Sequence, residues 1–169
     1  SIEDGEKELE YLRNFPDREN GFENPAHIED LKDEASFSLW LQVKVNGSKG
    51  INLKEGRVPQ TIYWIMVEDK IVGIGKLRHY LNESLLNYGG NIGYAISSEY
   101  RGKGIASKAL SLILQEANNH EQEEVLLTVD SDNIASCKVI ENNGGILKKE
   151  EDGTCFYWIK IKDKHSKTV

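Results

Sequence analysis

The stretch Arg101-Gly102-Lys103-Gly104-Ile105-Ala106 decides the fold of this chain, because it separates a strand pattern from a helix pattern. Before it, Asn91–Ser97 has the composition of a short strand. After it, Gly104–Asn118 carries apolar residues at the spacing of one helical face, namely Ile105, Ala109, Leu112, Ile113 and Ala117. The nearly continuous apolar run Val125–Val129 then predicts a buried strand. The sequence therefore predicts a strand, helix, strand unit whose first connection is this loop.

The chemistry of the loop favours a bound anion. Glycine at positions 102 and 104 leaves backbone N–H groups uncovered just before a helix, whose positive end attracts phosphate. Arg101 and Lys103 add positive charge around a pyrophosphate. The spacing lacks the Lys and Ser/Thr ending of a P-loop and the third glycine of a dinucleotide fingerprint. Taken alone, these six residues fit an ordinary glycine-containing turn equally well.

The rest of the chain alternates clear elements with breaker clusters. The N-terminal region predicts two helices, one ending at Pro16 and one within Asp33–Val45 that stops at Asn46–Gly50, followed by a loop over Ile51–Pro59. Further along, the pattern predicts a hairpin, a short helix and a second hairpin: Thr61–Val67 with Ile71–Leu77, then Ile134–Asn142, then Ile146–Glu150 with Cys155–Ile161 joined by Asp152-Gly153. Glycine inside the strand at position 93 predicts a bulge or a close approach by another group.

Composition excludes several classes of function. The net charge of -7 and the lack of a dense Lys/Arg block exclude a nucleic-acid surface, whereas an acidic surface tolerates an amine acceptor. Cys137 and Cys155 are too few for a disulfide framework and lack metal-ligand spacing, so we expect a reducing compartment and no metal. No run approaches the roughly 18 apolar residues of a membrane span, and the N-terminus has no signal pattern. We therefore expect a cytoplasmic protein with no membrane partner.

The loop resembles the pyrophosphate loop of the GNAT superfamily of N-acetyltransferases, Arg/Gln-x-x-Gly-x-Gly/Ala, which Arg101, Gly104 and Ala106 match. Members of the superfamily place this loop after a bulged strand and before a long helix. Asn91–Ser97 and Gly104–Asn118 stand at those places.

A second stretch extends the resemblance. Asn133-Ile134-Ala135-Ser136, followed by Asn143-Gly144-Gly145, looks like the second family motif, in which an Asn begins the helix after the fifth strand. The hairpin turn Val67–Gly73 also matches the family pattern. The resemblance implies a single acetyltransferase domain over 1–169, made of variable N-terminal helices, a CoA-binding core and a polar tail: 1–60, 61–161 and 162–169.

The resemblance implies a mixed α/β (α+β) fold, with a mostly antiparallel central sheet flanked by helices and a splayed pair of parallel strands that binds CoA. The pantetheine arm would enter between these strands and bond to the main chain of the first one, whose N–H groups also oppose developing negative charge. Acetyl-CoA is the implied co-substrate, with no metal. The residues implied to bind it are Tyr94, Ala95, Ile96, Arg101, Gly102, Lys103, Gly104, Ile105, Ala106, Asn133 and Ser136.

The proton route departs from the common family pattern. Many members carry a Tyr seven residues after the motif Asn, where it donates a proton to the departing thiolate, but Ile140 stands there in this chain. Alternative hydroxyls belong to Tyr88, Tyr94 and Tyr100, each of which also fits a structural role.

Two residues are the preferred candidates for a general base, Asp130 after the buried strand and His79 after the first hairpin, ahead of Glu99. Asp130 also fits a helix cap, and His79 also fits a partner for a backbone group. Cys137 lacks a His and acid partner at recognisable spacing, so we expect direct attack by the amine rather than a covalent intermediate.

Two functions follow from the resemblance. The first is an N-acetyltransferase that moves the acetyl group of acetyl-CoA to a primary amine in a ternary complex. The second is a non-catalytic acyl-CoA-binding or sensing module, which Ile140 supports. No feature selects among polyamine, aminoglycoside, amino acid and peptidyl N-terminal acceptors. A homodimer is expected because small acyltransferases of this kind are often dimers.

Overall fold

A computed structural model describes residues 1–161 of the chain. Its α-helices are α1 (Glu6–Asn14), α2 (Glu34–Ser48), α3 (Glu83–Asn87), α4 (Ile105–Asn119) and α5 (Ile134–Asn142). Its strands are β1 (Arg18–Glu19), β2 (Phe22–Glu23), β3 (Gln60–Val67), β4 (Lys70–Arg78), β5 (Ile92–Ile96), β6 (Glu124–Asp130), β7 (Ile146–Glu151) and β8 (Thr154–Lys160). The predicted polar tail, residues 162–169, lies outside the described residues.

Two three-stranded antiparallel sheets stand side by side, in the orders β3-β4-β5 and β6-β8-β7. The short strands β1 and β2 form a separate ribbon. Helix α4 crosses from β5, at the edge of the first sheet, to β6, at the edge of the second, which is the connection that parallel neighbours require. The predicted mixed, mostly antiparallel fold with a splayed parallel pair is confirmed.

Apolar side chains form one core on each face of the sheets. The first core joins α4 and α5 to β4, β5, β6 and β8, through residues such as Leu110, Ile113 and Ile140. The second core joins α1, α2 and β2 to the opposite face of β4 and β5, through residues such as Leu12, Phe37 and Trp40. Helices α1, α2, α4 and α5 each bury apolar side chains in one of these cores, which is the main stabilising contribution in a domain of this size. Among residues 1–161, no helix has the length and apolar character needed to cross a bilayer.

Local sequence signals set most element boundaries. Helix α1 ends at Asn14 because Phe15, which precedes Pro16, is extended. The Asp152-Gly153 turn has positive φ at both residues, 50° and 76°, as a two-residue hairpin turn requires. The second helix ends inside the predicted breaker cluster Asn46–Gly50, but three residues beyond the predicted Val45, because α2 continues to Ser48 and stops before Gly50, whose φ is 75°.

Two further details bear on the predictions. Of the two alternatives predicted at Gly93, the close approach is found and the bulge is not, since β5 pairs with β4 in unbroken register and a Cβ at Gly93 would lie 3.0 Å from the Lys76 side chain. Register shifts occur instead between Ile65 and Met66 and between Leu147 and Lys149. In α4 the buried face includes Leu110, whereas Leu112 is 49% exposed. Leu112 lies about 100° around the helix from Ile113, which takes it out of the face that contacts the sheet.

Candidate active site

The predicted pyrophosphate loop connects β5 to α4 and leaves its backbone open. Gly102 and Gly104 have φ of 73° and 77°, a region that strains residues with a Cβ. A Cβ at either position would have no atom within 4 Å, so the backbone faces open space. Gly104 is the N-cap of α4, and no side chain bonds to the first turn from this position.

The first turn of α4 presents N–H groups to this space. The first backbone hydrogen bond at the start of the helix runs from Lys108 N–H to the Gly104 carbonyl, at 3.2 Å. The N–H groups of residues 105–107 therefore have no carbonyl acceptor within the helix. Together with the positive end of the helix dipole, these donors form an anion site of the kind that binds phosphate.

The two charged side chains of the loop point in different directions. Arg101 turns back toward the chain, where its Nε donates to the Ile96 carbonyl at 2.9 Å and its guanidinium pairs with Glu19 of β1. Lys103 is exposed and lies over the Tyr100 ring, with Nζ 5.4 Å from the ring centroid. Arg101 thus fixes the exit of the chain from β5, while Lys103 stays available to a ligand.

Strands β5 and β6 separate beyond one contact, which is made by the buried Asn91. The Asn91 N–H donates to the Leu126 carbonyl at 2.7 Å, and the Asn91 side-chain oxygen accepts from the Leu126 N–H at 2.8 Å. The side-chain amide also donates to Gln122 Oε1 at 2.8 Å and to the Arg78 carbonyl at 3.3 Å. A side chain therefore takes the place of the main-chain ladder where the two strands begin to diverge.

Gly90 allows this contact to form. A Cβ at Gly90 would lie 2.4 Å from the Leu126 carbonyl oxygen, which no side chain tolerates. The φ of Gly90 is 59°, so the position also favours glycine by conformation. The close approach of this turn to β6 sets the vertex from which β5 and β6 splay apart.

A cavity of about 270 Å³ occupies the splay between β5 and β6. Its walls come from the β1–β2 ribbon, from β4, β5 and β6, from α3 and from α5, and they include Phe22, Lys76, Arg78, Gly93, Tyr94, Leu127, Asp130, Ser136 and Ile140. An apolar cleft with a few polar groups is the common form of a small-molecule site.

Tyr94 lines this cavity, and its hydroxyl is buried. Among residues 1–161, that hydroxyl has no hydrogen-bond partner, although the Ser136 side chain lies close enough to influence it. Burial raises the pKa of Tyr94 to about 12, and Ser136 opposes part of the shift. The phenol therefore keeps its proton at neutral pH and is free to donate it to a bound group.

Helix α5 supplies the opposite wall. Asn133 caps this helix, because its side-chain oxygen accepts from the Ser136 N–H at 3.2 Å. Ile140, at the position where the family pattern has Tyr, is 2% exposed and lies in the first core. Its side chain lines the same cavity as Tyr94, so the two residues face a common space from different elements.

The second predicted motif also joins two helices. The Asn143 amide donates to the Val139 carbonyl at 2.9 Å and to the Ser107 hydroxyl at 3.1 Å. Since Ser107 belongs to the first turn of α4, this bond holds the end of α5 against the loop.

The structure separates the two candidate bases. Asp130 lines the cavity at the end of β6. His79 does not line it, because His79 follows β4 and stacks on His120 at the far end of α4, with ring centroids 3.9 Å apart. The His79 Nε2 lies 2.8 Å from the Thr61 hydroxyl, and burial, then His120, lowers the pKa of His79. A 15-residue helix spans roughly 22 Å, so His79 lies far from the loop.

Several residues of the site were not predicted from the sequence. Asn91 was visible only as the first residue of a strand, and Glu19 only as part of a polar segment. Lys76 carried a signal, since a lysine inside the apolar run Ile71–Leu77 is unusual. Among the described residues, no group of three or more His, Cys, Asp and Glu side chains is arranged to hold a metal ion.

The fold and the open loop before α4 are those of an acyltransferase that uses a nucleotide-linked donor. The family model described as Acetyltransferase (GNAT) domain matches residues 16–146, so the chain belongs to the GNAT acetyltransferases. No curated protein matches the chain in sequence at a significant level.

Solved structures agree with this assignment. N-acetyltransferase PseH from Campylobacter jejuni, in complex with acetyl coenzyme A, is similar with a TM-score of 0.62 and 10% identity, covering 95% of each chain. An N-acetyltransferase from Staphylococcus aureus Mu50 has a TM-score of 0.56 and 16% identity, covering 92% of this chain and 89% of that one. A GNAT acetyltransferase from Streptococcus pneumoniae has a TM-score of 0.56 and 14% identity over 77% of each chain. At these identities the likeness establishes the fold.

Proposed function

We propose that this protein transfers the acetyl group of acetyl-CoA to a primary amine, by direct attack in a ternary complex. The observation that carries the proposal is the open first turn of α4, which lies at the wide end of the splay between β5 and β6. This arrangement provides an anion site at the start of α4 and a cleft between the two strands that α4 connects. Family membership and the acetyl-CoA bound in PseH support the choice of donor.

In the proposed complex, the pyrophosphate lies against residues 101–106. The N–H groups of the first helical turn bind its oxygens, and Lys103 adds charge. The pantetheine arm follows the free edge of β5 along Tyr94, Ala95 and Ile96, because within residues 1–161 the strand pairing of β5 is with β4, on its other edge. Asn133 and Ser136 bound the arm from the side of α5.

Acetyl-CoA supplies an activated acyl group, and the residues of this chain orient it and manage the protons. Backbone N–H groups of β5 stabilise the oxyanion that forms when the amine adds to the carbonyl. Tyr94 donates its proton to the departing thiolate. It takes the role of the Tyr that many family members have at the position of Ile140. The support for this role is the hydroxyl's lack of a hydrogen-bond partner among residues 1–161. The pKa of about 12 keeps the phenol protonated in the neutral range but makes it a weaker acid than an ordinary Tyr.

Asp130 accepts the proton of the attacking amine, directly or through water, because it is the candidate base that lines the cavity. The test is Asp130→Asn, measured as the pH dependence of turnover, with His79→Asn as the matched control. We expect Asp130→Asn to lower turnover and to change its pH dependence, because the group that accepts the proton of the amine is lost, and we expect His79→Asn to leave both unchanged. An Asp130→Asn enzyme with ordinary turnover and an unshifted pH profile removes Asp130 from the mechanism.

Two measurements together test the proposed function. Calorimetry measures CoA affinity, and a thiol assay measures CoA release from acetyl-CoA across a library of amines. Binding with amine-dependent release supports the transferase. Binding without release favours the acyl-CoA sensor, for which Ile140 is the supporting observation, and failure to bind CoA refutes both. The division of a single domain at residues 60 and 161, the homodimer and the cytoplasmic location stay predictions.

A further inference from the structure

Two cationic side chains line the cavity on the face opposite α4 and α5. Lys76 and Arg78 occupy alternate positions of β4, so they point to the same side of the sheet. Both are half-buried, and both line the cavity near Phe22 of the ribbon. Such a pair is unexpected inside a chain whose net charge is -7.

Neither cation has an ion-pair partner among residues 1–161. One Arg78 nitrogen donates to the Gly90 carbonyl at 2.8 Å, and the Lys76 Nζ lies 5.0 Å from the centroid of the Phe22 ring. The pKa of Lys76 is lowered to about 8, first by burial and then by the charges of Arg78 and Arg57, while the carboxylate of Glu23, which lines the same cavity, opposes the shift. A charge removed from water without a partner carries a free-energy cost, which a bound anion offsets.

Gly93 makes room for the Lys76 side chain. It pairs directly with Lys76 across the two strands, and a Cβ at Gly93 would lie 3.0 Å from the Lys76 Cε and 3.5 Å from Phe22. The close approach predicted at this glycine is thus made by the stem of Lys76. The ammonium group is held over the cavity by the strand pairing and by Phe22.

The position of the pair fits the acceptor rather than the donor. Gly93 lies three residues before Ile96, which is roughly 10 Å along the strand and away from the pyrophosphate loop. The CoA phosphates lie beyond Ile96 in the proposed complex. The cations therefore face the inner part of the cavity, where the acetyl group and the acceptor meet.

We propose that Lys76 and Arg78 form a subsite for a negatively charged group on the acceptor, so that the substrate is a small amine carrying a carboxylate or a phosphate. This inference rests on the proposed function. The cavity of about 270 Å³ has room for a small molecule beside the thioester.

The first test measures anion binding without catalysis. The protein is saturated with CoA, which fills the pyrophosphate loop, and is titrated with sodium sulfate against sodium chloride of equal ionic strength while the thermal midpoint is followed. We expect a saturable rise that weakens by about 10- to 100-fold in Lys76→Met, because a charge-assisted bond is lost while the apolar stem is kept. Lys44→Met is the control, since Lys44 is also half-buried over an aromatic ring, Trp40, but does not line the cavity.

Two results of this titration would refute the subsite. A wild-type protein without a saturable sulfate response refutes it, and so does a Lys76→Met protein that responds like Lys44→Met. Lys76→Arg, which keeps the charge, separates loss of the cation from loss of packing: we expect it to retain most of the response.

The second test compares acceptors in matched pairs. Thiol release is measured with α-amino acids and their amides, with phosphoethanolamine and ethanolamine, and with polyamines. We expect the anionic member of each pair to have the higher kcat/KM, and Lys76→Met to raise the KM of that member alone while the KM of acetyl-CoA stays constant. Equal use of neutral and anionic members refutes the subsite but leaves the transferase intact. Absence of release with every amine refutes the transferase, and the sulfate titration then decides the subsite by itself.

Discussion

Replacing Asn91 by alanine removes the side-chain part of the contact that joins the two sheets at the vertex of the splay, and keeps the main-chain bond from the N–H of residue 91 to the Leu126 carbonyl. Three hydrogen bonds of the Asn91 side chain are lost: from the Leu126 N–H at 2.8 Å, to Gln122 Oε1 at 2.8 Å and to the Arg78 carbonyl at 3.3 Å. The Arg78 carbonyl keeps a second donor, Gln122 Nε2 at 3.0 Å. The buried Leu126 N–H and the Gln122 carbonyl oxygen lose the partners that Asn91 provides.

The magnitude follows from these groups. Each intramolecular hydrogen bond contributes about 0.5–1.5 kcal/mol net, and a buried donor left unpaired costs about 1–3 kcal/mol. We therefore expect Asn91→Ala to lower the free energy of unfolding by about 2–4 kcal/mol, from a total on the order of 5–15 kcal/mol. For a chain of this size, that corresponds to a fall in Tm of roughly 5–15 °C.

The assay is urea unfolding followed by circular dichroism, with Asn119→Ala as the control. Asn119 is exposed and makes one side-chain bond, to Glu116 at 3.3 Å, so its loss has little effect. Gln122→Ala and the double variant complete a thermodynamic cycle. We expect a coupling of about 1 kcal/mol between positions 91 and 122, because they share a hydrogen bond. Affinity for CoA is measured on the same proteins and should fall in Asn91→Ala, since the splay is no longer fixed.

The reasoning fails if Asn91→Ala unfolds at the same urea concentration as Asn119→Ala. It also fails in part if stability falls but positions 91 and 122 show no coupling, because the loss then comes from a cavity rather than from the hydrogen bonds. A change in the slope of the unfolding curve would point instead to the two sheets unfolding separately.

Three other outcomes are expected. Tyr94→Phe should lower kcat by about 10²-fold with unchanged CoA affinity in calorimetry, because only the donated proton is lost; ordinary turnover would exclude Tyr94 as the acid. Gly104→Val should abolish measurable CoA binding without loss of the folded spectrum, since φ of 77° strains valine and the new side chain covers the first turn of α4; the exposed control is Leu112→Val. Sulfate affinity of the CoA-saturated protein should fall as the pH rises through about 8, because Lys76, whose pKa is lowered to about 8 by burial and by the nearby charges of Arg78, Glu23 and Arg57, then loses its positive charge. Because that pKa lies below its unfolded value of 10.5, the free energy of unfolding without an anion should rise with pH between about 8 and 10.5, where the unfolded chain binds more protons. A flat sulfate affinity from pH 7 to 9.5 contradicts the first statement, and a free energy of unfolding that does not rise above pH 8 contradicts the second.

Local features of the site could be predicted from the sequence. The open glycine loop at residues 102 and 104, the start of a helix at Asn133 and the position of α4 follow from interactions within a few residues, and the structure has them as expected. At Gly93 the sequence left a bulge and a close approach open, and the structure has the close approach, which is made by the stem of Lys76 on the neighbouring strand.

What the sequence by itself determined is therefore the order of the elements, the open loop before α4 and the resemblance that these support. Such features depend on backbone preference and on hydrophobic periodicity, both of which are written in neighbouring residues. The tertiary structure alone decided that Tyr94 faces the same cavity as Ile140, that His79 lies at the far end of α4, and that Asn91 holds the splay. Burial, pairing and distance between residues far apart in the chain arise only when the helices and sheets pack, and these quantities fix the chemistry of the cavity.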